Sequence, residues 1–396
     1  MYITEEDELK GFCSQIRPCQ WLAIDTEFVR EKTYYHNLGL IQVSGNGTCA
    51  AIDPIALKNL DPILDIIRNP SILKVFHAGK QDLEILYRLC QEKIHPVFDT
   101  QIAASLLGWG TQISFAKAVQ KTTGKRIYKN ETYTDWCRRP LSSSQIEYAL
   151  DDVRYLELVY EKILVKLKKL NRLDWLDEEF HQLEDTRFYQ MPDPRKQFMK
   201  IKNVRGLKPQ NLAVMVELCA WREEEAARRN CHPKTIIRDE PLLEIARSLP
   251  KNKETINNIR GINLKEVGRN QKVILQAIEK GLKVPREDIP NLPEVKNYNT
   301  HPGVEELIAA FIQSHSEEMK IDATVLADRK QIHEIVKCYE QNGDLADVRP
   351  LKGWRRGLIG HQIEDILNGR VFLSIDPEGK VCLTPIDPSI KDSDSS

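Results

Sequence analysis

Apolar positions along this chain cluster in short runs early and settle into helical spacing later. Trp21-Leu-Ala-Ile24 is one run and Leu38 to Val43 another, the second closed by Gly45-Asn46-Gly47. Residues 48–52 (TCAAI) read as a third strand, so the opening has an antiparallel character. A helix is predicted over Pro62–Arg68, a strand over Ile72–Phe76 and a helix over Gln81–Leu89. Further helices are expected near 100–107, 114–121, 143–150 and 152–170. Early strands with helices interleaved afterwards predict a mixed sheet covered by helices.

Residues 186–206 carry two prolines and no clear period, which reads as a linker. Beyond it Leu212, Met215, Val216 and Cys219 fall at i, i+3, i+4, i+7. Leu242, Ile245, Ala246 and Leu249 do the same, with Asp239 as expected N-cap and Pro250 as stop; Gly281 should end the last helix of this stretch. A proline-rich gap over 286–301 precedes a second helical set. There Val304, Leu307, Ile308 and Phe311 repeat the spacing, as do Ile332, Ile335, Val336 and Tyr339. Residues 371–386 alternate around Asp-Pro-Glu-Gly as a hairpin would, and the last residues, KDSDSS, are expected to be disordered.

A net charge of −1 hides a strong asymmetry. Residues 1–200 hold 27 Lys/Arg against 28 Asp/Glu, 201–285 hold 17 against 10, and 286–396 hold 13 against 20. The basic middle is the natural surface for an anionic partner, although a solvated helical face would look the same. The nine cysteines stand singly, without CxxC or Cys/His spacing, so zinc is not expected and a reducing cytoplasm is. No apolar run approaches the roughly 20 residues that span a bilayer. The acidic start MYITEEDELK is unlike a secretory signal.

The chemistry lies in carboxylates. Asp25 and Glu27 follow the run 21–24, and side chains at i and i+2 of a strand share a face. Two acids side by side repel unless a cation neutralises them, and an all-oxygen pair suits Mg²⁺ or Mn²⁺. Alone, such a triplet more often ends a solvated strand. Asp82 follows strand 72–76, where an acid in a helix's first turn also serves the dipole. Tyr148 and Asp152 stand four apart on one helical face; alone, Tyr148 reads as a core residue with a hydroxyl partner.

The set as a whole is more specific. WLAIDTEFVREKTYYHNLGLIQVS, VFHAGKQDLEIL, VFDTQIAASLLG and TDWCRRPLSSSQIEYALDDVRYL resemble bacterial ribonuclease D, a DEDD-type exonuclease of the Tyr subclass. Asp25 and Glu27 match its first motif, Asp82 its second, and Tyr148 with Asp152 its third. The resemblance implies an α/β ribonuclease H-like domain and 3′–5′ hydrolysis of RNA with two divalent metal ions held by Asp25, Glu27, Asp82 and Asp152. Tyr148 would orient the attacking water, since an ordinary phenol, with a pKa of about 10, is a poor base. Thr26 and Phe28 would lie near the terminal nucleotide, Phe28 either stacking on its base or packing in the core. His77 reads as a buried structural histidine at the substrate's edge, and Asp99 as support behind the site.

Trp221-Arg222-Glu223-Glu224, Asp239-Glu-Pro-Leu-Leu and Ile259-Arg-Gly261 resemble the HRDC domain, a small helical bundle. Arg228, Arg229, Lys234 and Arg238 are its candidate RNA contacts. Gly353-Trp-Arg-Arg356 and Gly369 mark a second, diverged module whose acidic balance favours packing on the catalytic domain over phosphate binding. The expected organisation is an exonuclease domain at 1–185, linker 186–206, HRDC domain 207–285, linker 286–301, a second HRDC-type bundle at 302–370 and a tail at 371–396. A monomer acting on tRNA precursors with a free 3′ hydroxyl is what the family implies. The rivals are a DNA exonuclease in repair and an RNA-binding protein without catalysis; no GxxxxGK[ST] loop suggests a helicase motor.

Overall fold

A computed structural model describes residues 1–29, 32–127, 131, 134–292, 301–341 and 343–386. The expectation of disorder at 391–396 falls outside the described residues. The first unit contains β1 (Tyr2–Ile3), α1 (Glu6–Ile16), β2 (Trp21–Val29), β3 (Asn37–Gly45), β4 (Thr48–Ile52), α2 (Asp61–Arg68) and β5 (Leu73–Phe76). It continues with α3 (Lys80–Cys90), β6 (Val97–Asp99), α4 (Thr100–Ser105), α5 (Phe115–Thr123), α6 (Ser143–Lys169) and α7 (Trp175–Leu183). The six strands form one mixed sheet ordered β1-β4-β3-β2-β5-β6. The β2–β3–β4 centre is antiparallel, while β1 on β4, β5 on β2 and β6 on β5 are parallel. This is the ribonuclease H-like arrangement the motifs implied.

Alternation along β2 decides which layer each residue enters. Leu22 and Ile24 join the core beneath α1, α2 and α3, together with Phe12, Ile16, Ile63 and Leu86. Ala23 joins the opposite core with Val75, Phe98, Val153, Leu156 and Ile163, to which α6 contributes more residues than any other element. Asp25 and Glu27 continue the Ala23 side, so the strand carries them toward α6. That helix is a single uninterrupted element of 27 residues where two were expected. Neither Asp151 nor Asp152 is a helix breaker, so the helix runs through both. Ser142 and Gln145 close a reciprocal cap at its start, with bonds of 3.1 and 2.9 Å.

The stretch expected as a linker at 186–206 folds as three short 3₁₀ turns. Tyr189 is buried in the core of the first unit, and Phe198, Ile201 and Val204 in the next one. These four anchors serve two different cores, so no single apolar face runs along the stretch, which is why the pattern read as irregular. That next core belongs to α8 (Pro209–Arg228), α9 (Pro233–Ile236), α10 (Asp239–Ser248), α11 (Lys253–Asn257) and α12 (Leu264–Leu282). Arg238 takes the N-cap position of α10 expected of Asp239, and the Asp239 carboxylate instead accepts from Arg222 at 2.7 Å. Gly281 lies within α12 rather than beyond it. A Cβ there would come 2.4 Å from the Val214 Cα, so close helix packing, not termination, requires the glycine.

A third unit holds α13 (Pro302–Met319), α14 (Ala323–Leu326), α15 (Arg329–Glu340), α16 (Gly353–Arg355) and α17 (His361–Leu367). A hairpin of β7 (Val371–Ile375) and β8 (Val381–Pro385) closes it. This unit grips the first one. Trp354 stacks on Trp175 at 4.4 Å and 4°. Buried Arg355 lies 2.7 Å from Glu179, and Arg172 donates to Leu106 O at 2.7 Å and Met319 O at 2.6 Å.

Candidate active site

Asp25, Thr26, Glu27 and Phe28 occupy the C-terminal half of β2. Pairing with β3 runs from Ala23 to Glu27 and slips between Glu27 and Phe28. Such a bulge re-aims the next side chain, and Phe28 lines the same 310 Å³ cavity as the two acids. It also meets the edge of the His36 ring at 4.7 Å. Phe28 is half-buried, with one side packed and one side open to the cavity.

Asp82 arrives from the first turn of α3, directly after β5. The turn leading to it is fixed by Asp99, at the end of β6. The Asp99 carboxylate accepts from the backbone N–H of Ala78 at 3.1 Å and Gly79 at 2.8 Å. It also caps α4 through Gln101 at 2.7 Å. Ala78 is held at a φ of 58°, a conformation costly for a residue with a Cβ. Asp99 thus sets the geometry through which β5 delivers Asp82. Asp82 in turn accepts from the Thr26 hydroxyl at 2.5 Å, which accounts for Thr26 between the two strand acids.

Tyr148 and Asp152 come from the first turns of α6, and both line the cavity. The loop ahead of α6 is clamped to the sheet. Arg139 pairs with Asp53 at 2.6 and 2.7 Å and donates to Gly39 O at 2.7 Å. Trp136, fully buried beside it, lies 6.1 Å from the Tyr148 ring.

One oxygen each from Asp25, Glu27 and Asp152 lie within 4.8 Å of one another. Asp82 belongs to the same cavity but not to that tight triad. Burial pushes the Asp25 carboxyl well above the usual carboxylate range, and the charges of Asp82, Asp152 and Glu27 push it further. Burial likewise raises Asp82 to about 6, against the Thr26 hydrogen bond that lowers it. Acids crowded and desolvated in this way repel one another, and hard divalent cations relieve both effects. The donor set, all carboxylate oxygen, fits Mg²⁺ or Mn²⁺ and not a soft metal.

His77 lines the cavity with its ring nitrogens engaged by protein. Nε2 meets Ile113 O at 3.1 Å, so it carries a hydrogen, and Nδ1 meets the Thr100 hydroxyl at 2.9 Å. Gln81, Gln101, Ser114 and Phe115 complete the lining. None of these four was singled out from sequence; only Gln81, beside Asp82, carried a positional hint.

The four basic candidates of the HRDC module part company. Arg228 chelates Glu225 at 2.8 and 2.7 Å, and Arg229 chelates Glu266 at 2.6 and 3.2 Å. Lys234 and Arg238 instead line a 1070 Å³ cleft together with Lys200, Lys202, Arg247 and Arg260. Lys234 pairs with Asp239 at 3.1 Å. The other five have no ion-pair partner among the described residues. Lys200 and Lys202 escaped notice because they sit in the stretch read as a linker.

Residues 1–168 match a family of 3′–5′ exonucleases, and residues 211–278 match the HRDC domain. The ribonuclease D of Granulibacter bethesdensis is 34% identical over 378 residues, covering 94% of each chain. That of Bartonella henselae is 35% identical, covering 93% of this chain and 90% of its own. Among solved structures, Escherichia coli RNase D, described as an exoribonuclease involved in structured RNA processing, superposes with a TM-score of 0.80. The two are 30% identical over 93% of this chain and 98% of that one.

Proposed function

Because the chain belongs to the ribonuclease D family, and so is a 3′–5′ exoribonuclease, we propose that it trims tRNA precursors by two-metal-ion hydrolysis, releasing nucleoside 5′-monophosphates one at a time. The observation that carries this is the convergence of Asp25, Glu27 and Asp152 within 4.8 Å, with Asp82 in the same cavity.

In this reading Asp25, Glu27, Asp82 and Asp152 would together hold two divalent ions. Ions so bound would lower the pKa of the attacking water and neutralise charge building on the phosphate oxygens. The chain's own residues do the positioning. Thr26 holds the Asp82 carboxylate in place through its hydroxyl. The Tyr148 hydroxyl orients the water, and Phe28 offers its open face to the last base. His77 and Phe115, 5.2 Å apart, wall the opposite side. The exposed basic cleft of Lys200, Lys202, Arg238, Arg247 and Arg260 supplies sequence-independent grip on the RNA backbone. Among the described residues no helix is long and apolar enough to cross a membrane, and all nine cysteines are free, which favours the cytoplasm.

The test is a time course on 5′-labelled tRNA bearing extra 3′ residues, with wild type and Asp25→Ala in Mg²⁺ or Mn²⁺. Stepwise shortening that needs a free 3′ hydroxyl and vanishes in the variant is expected. A matched DNA strand shortened faster than RNA would overturn the substrate, and no shortening of any strand would overturn the chemistry.

A further inference from the structure

The geometry points to a second RNA-binding element: a single-stranded track at the junction of the exonuclease and HRDC units, where Lys80, Phe188 and Lys200 hold nucleotides just upstream of the terminal one. This rests on the exoribonuclease reading above.

Phe188 is 58% exposed, although its neighbour Tyr189 is buried in the exonuclease core. The turn Thr186–Phe188 is held at both ends, by the Asp185 carboxylate capping Arg187 N and by the Tyr189 hydroxyl donating to Leu183 O at 2.5 Å. The ring is therefore presented to solvent on a fixed support. Lys80 Nζ stands 5.7 Å from its centroid. Lys80 opens α3, and the next residue, Gln81, lines the catalytic cavity. On its other side Phe188 borders a 560 Å³ groove with Tyr34, Tyr35, Met191, Lys200 and Lys234. That groove shares Lys200, Lys234 and Asp239 with the basic cleft, so the two are continuous, and Lys80 links Phe188 at the groove's edge to Gln81 at the catalytic cavity.

Its chemistry is that of single-stranded nucleic acid. Exposed aromatic faces stack on bases without regard to sequence, and lysines beside them track phosphates. Acids are present in the groove but already engaged. Glu223 and Asp239 pair with Arg222 at 3.2 and 2.7 Å, and Glu84 pairs with His36 at 3.5 Å. Lys80 and Lys200 have no ion-pair partner among the described residues. A strand whose 3′ nucleotide occupies the catalytic cavity must leave by some route, and this one meets it with base-stacking and phosphate-binding groups in order.

Phe188→Ala and Lys200→Glu, both at exposed positions, test it in the full chain. Affinity for a 5′-labelled dodecamer is read by fluorescence anisotropy in EDTA, and dinucleotide hydrolysis is read in Mg²⁺. Phe188→Ala should weaken dodecamer binding about tenfold, the loss of one base stack, and leave dinucleotide hydrolysis within about twofold. Lys200→Glu should flatten the salt dependence by roughly 0.7 in log–log slope per lost contact. Both variants binding the dodecamer like wild type, while wild type trims RNA normally, would overturn the track alone. Wild type that hydrolyses no RNA would overturn the underlying reading instead.

Discussion

Replacing Asp82 by Asn should make the metal-free protein more stable. The folded structure raises this carboxyl from 3.8 to about 6, chiefly through burial. An acid with a raised folded pKa binds its proton more tightly folded than unfolded. The folded state therefore loses stability as pH climbs from about 4 to about 6, and the full deficit persists above that. At about 1.36 kcal/mol per pKa unit the deficit approaches 3 kcal/mol. Asn has the same shape, carries no charge and keeps an oxygen for the Thr26 hydroxyl, which donates at 2.5 Å. The weaker bond to a neutral acceptor gives back part of the gain, leaving about 1–3 kcal/mol. For a domain of this size that is a rise of roughly 3–10 °C in Tm. Scanning fluorimetry in EDTA at about pH 7.5 and pH 4.5 should show the difference at the higher pH and little of it at the lower. Added Mg²⁺ should stabilise wild type, by about 2.7 kcal/mol at a hundredfold excess over Kd, and the variant less. A variant no more stable than wild type at pH 7.5 without metal, or one equally favoured at both pH values, would refute the account of the site as a set of acids held against their own repulsion.

Three further outcomes follow from other contacts. Asp99→Ala strips the acceptor from the Ala78, Gly79 and Gln101 amides; it should cost about 3–5 kcal/mol in thermal melts and reduce trimming by displacing Asp82. Arg355→Ala removes the buried cation that Glu178 and Glu179 share and leaves Glu179 paired with Arg349 alone. It should cost about 3–5 kcal/mol and expose the C-terminal unit to limited proteolysis, with dinucleotide hydrolysis intact. Gly281→Ala forces a methyl group against the Val214 backbone and should destabilise the HRDC unit by about 1–3 kcal/mol, read as an earlier unfolding step in calorimetry.

The parts of the fold that were legible in sequence are those with a local period. The unbroken apolar run before Asp25 and the helical spacing around Tyr148 and Asp152 place four of the cavity's residues on the right elements. Asp82 was placed by the strand-then-helix order around it. What stayed hidden lacked a period of its own. The three-residue β6 is too short to show one, yet it ends in Asp99 and thereby sets the turn before Asp82. The 186–206 stretch divides four buried side chains between two different cores, a pattern that composition cannot distinguish from a linker. The candidate RNA contacts divided for a related reason. A count of basic residues registers Arg229 and Arg238 alike, whereas only folding reveals that Glu266 occupies the first and leaves the second facing the cleft.

The same distinction bears on what the two helical units do. The HRDC unit is basic and meets the exonuclease through its loops: His232 N donates to Lys32 O at 3.1 Å, and the Asn230 side chain accepts from Tyr35 N at 3.0 Å. Both contacts fall on the segment linking β2 to β3, a few residues beyond Phe28, so this unit is fixed to the strand that carries the catalytic acids. The C-terminal unit is acidic and is fixed elsewhere, at the far end of α6 and along α7, through stacked tryptophans and a buried arginine. With 27 residues at about 1.5 Å each, α6 separates that anchor from Asp152 by several turns. In the proposed reading, binding RNA near the catalytic rim falls to the HRDC unit, while the C-terminal unit braces the long helix that supplies Tyr148 and Asp152. A charge-reversed C-terminal unit that still folds should leave RNA affinity nearly unchanged, whereas the same reversal in the cleft should abolish most of it.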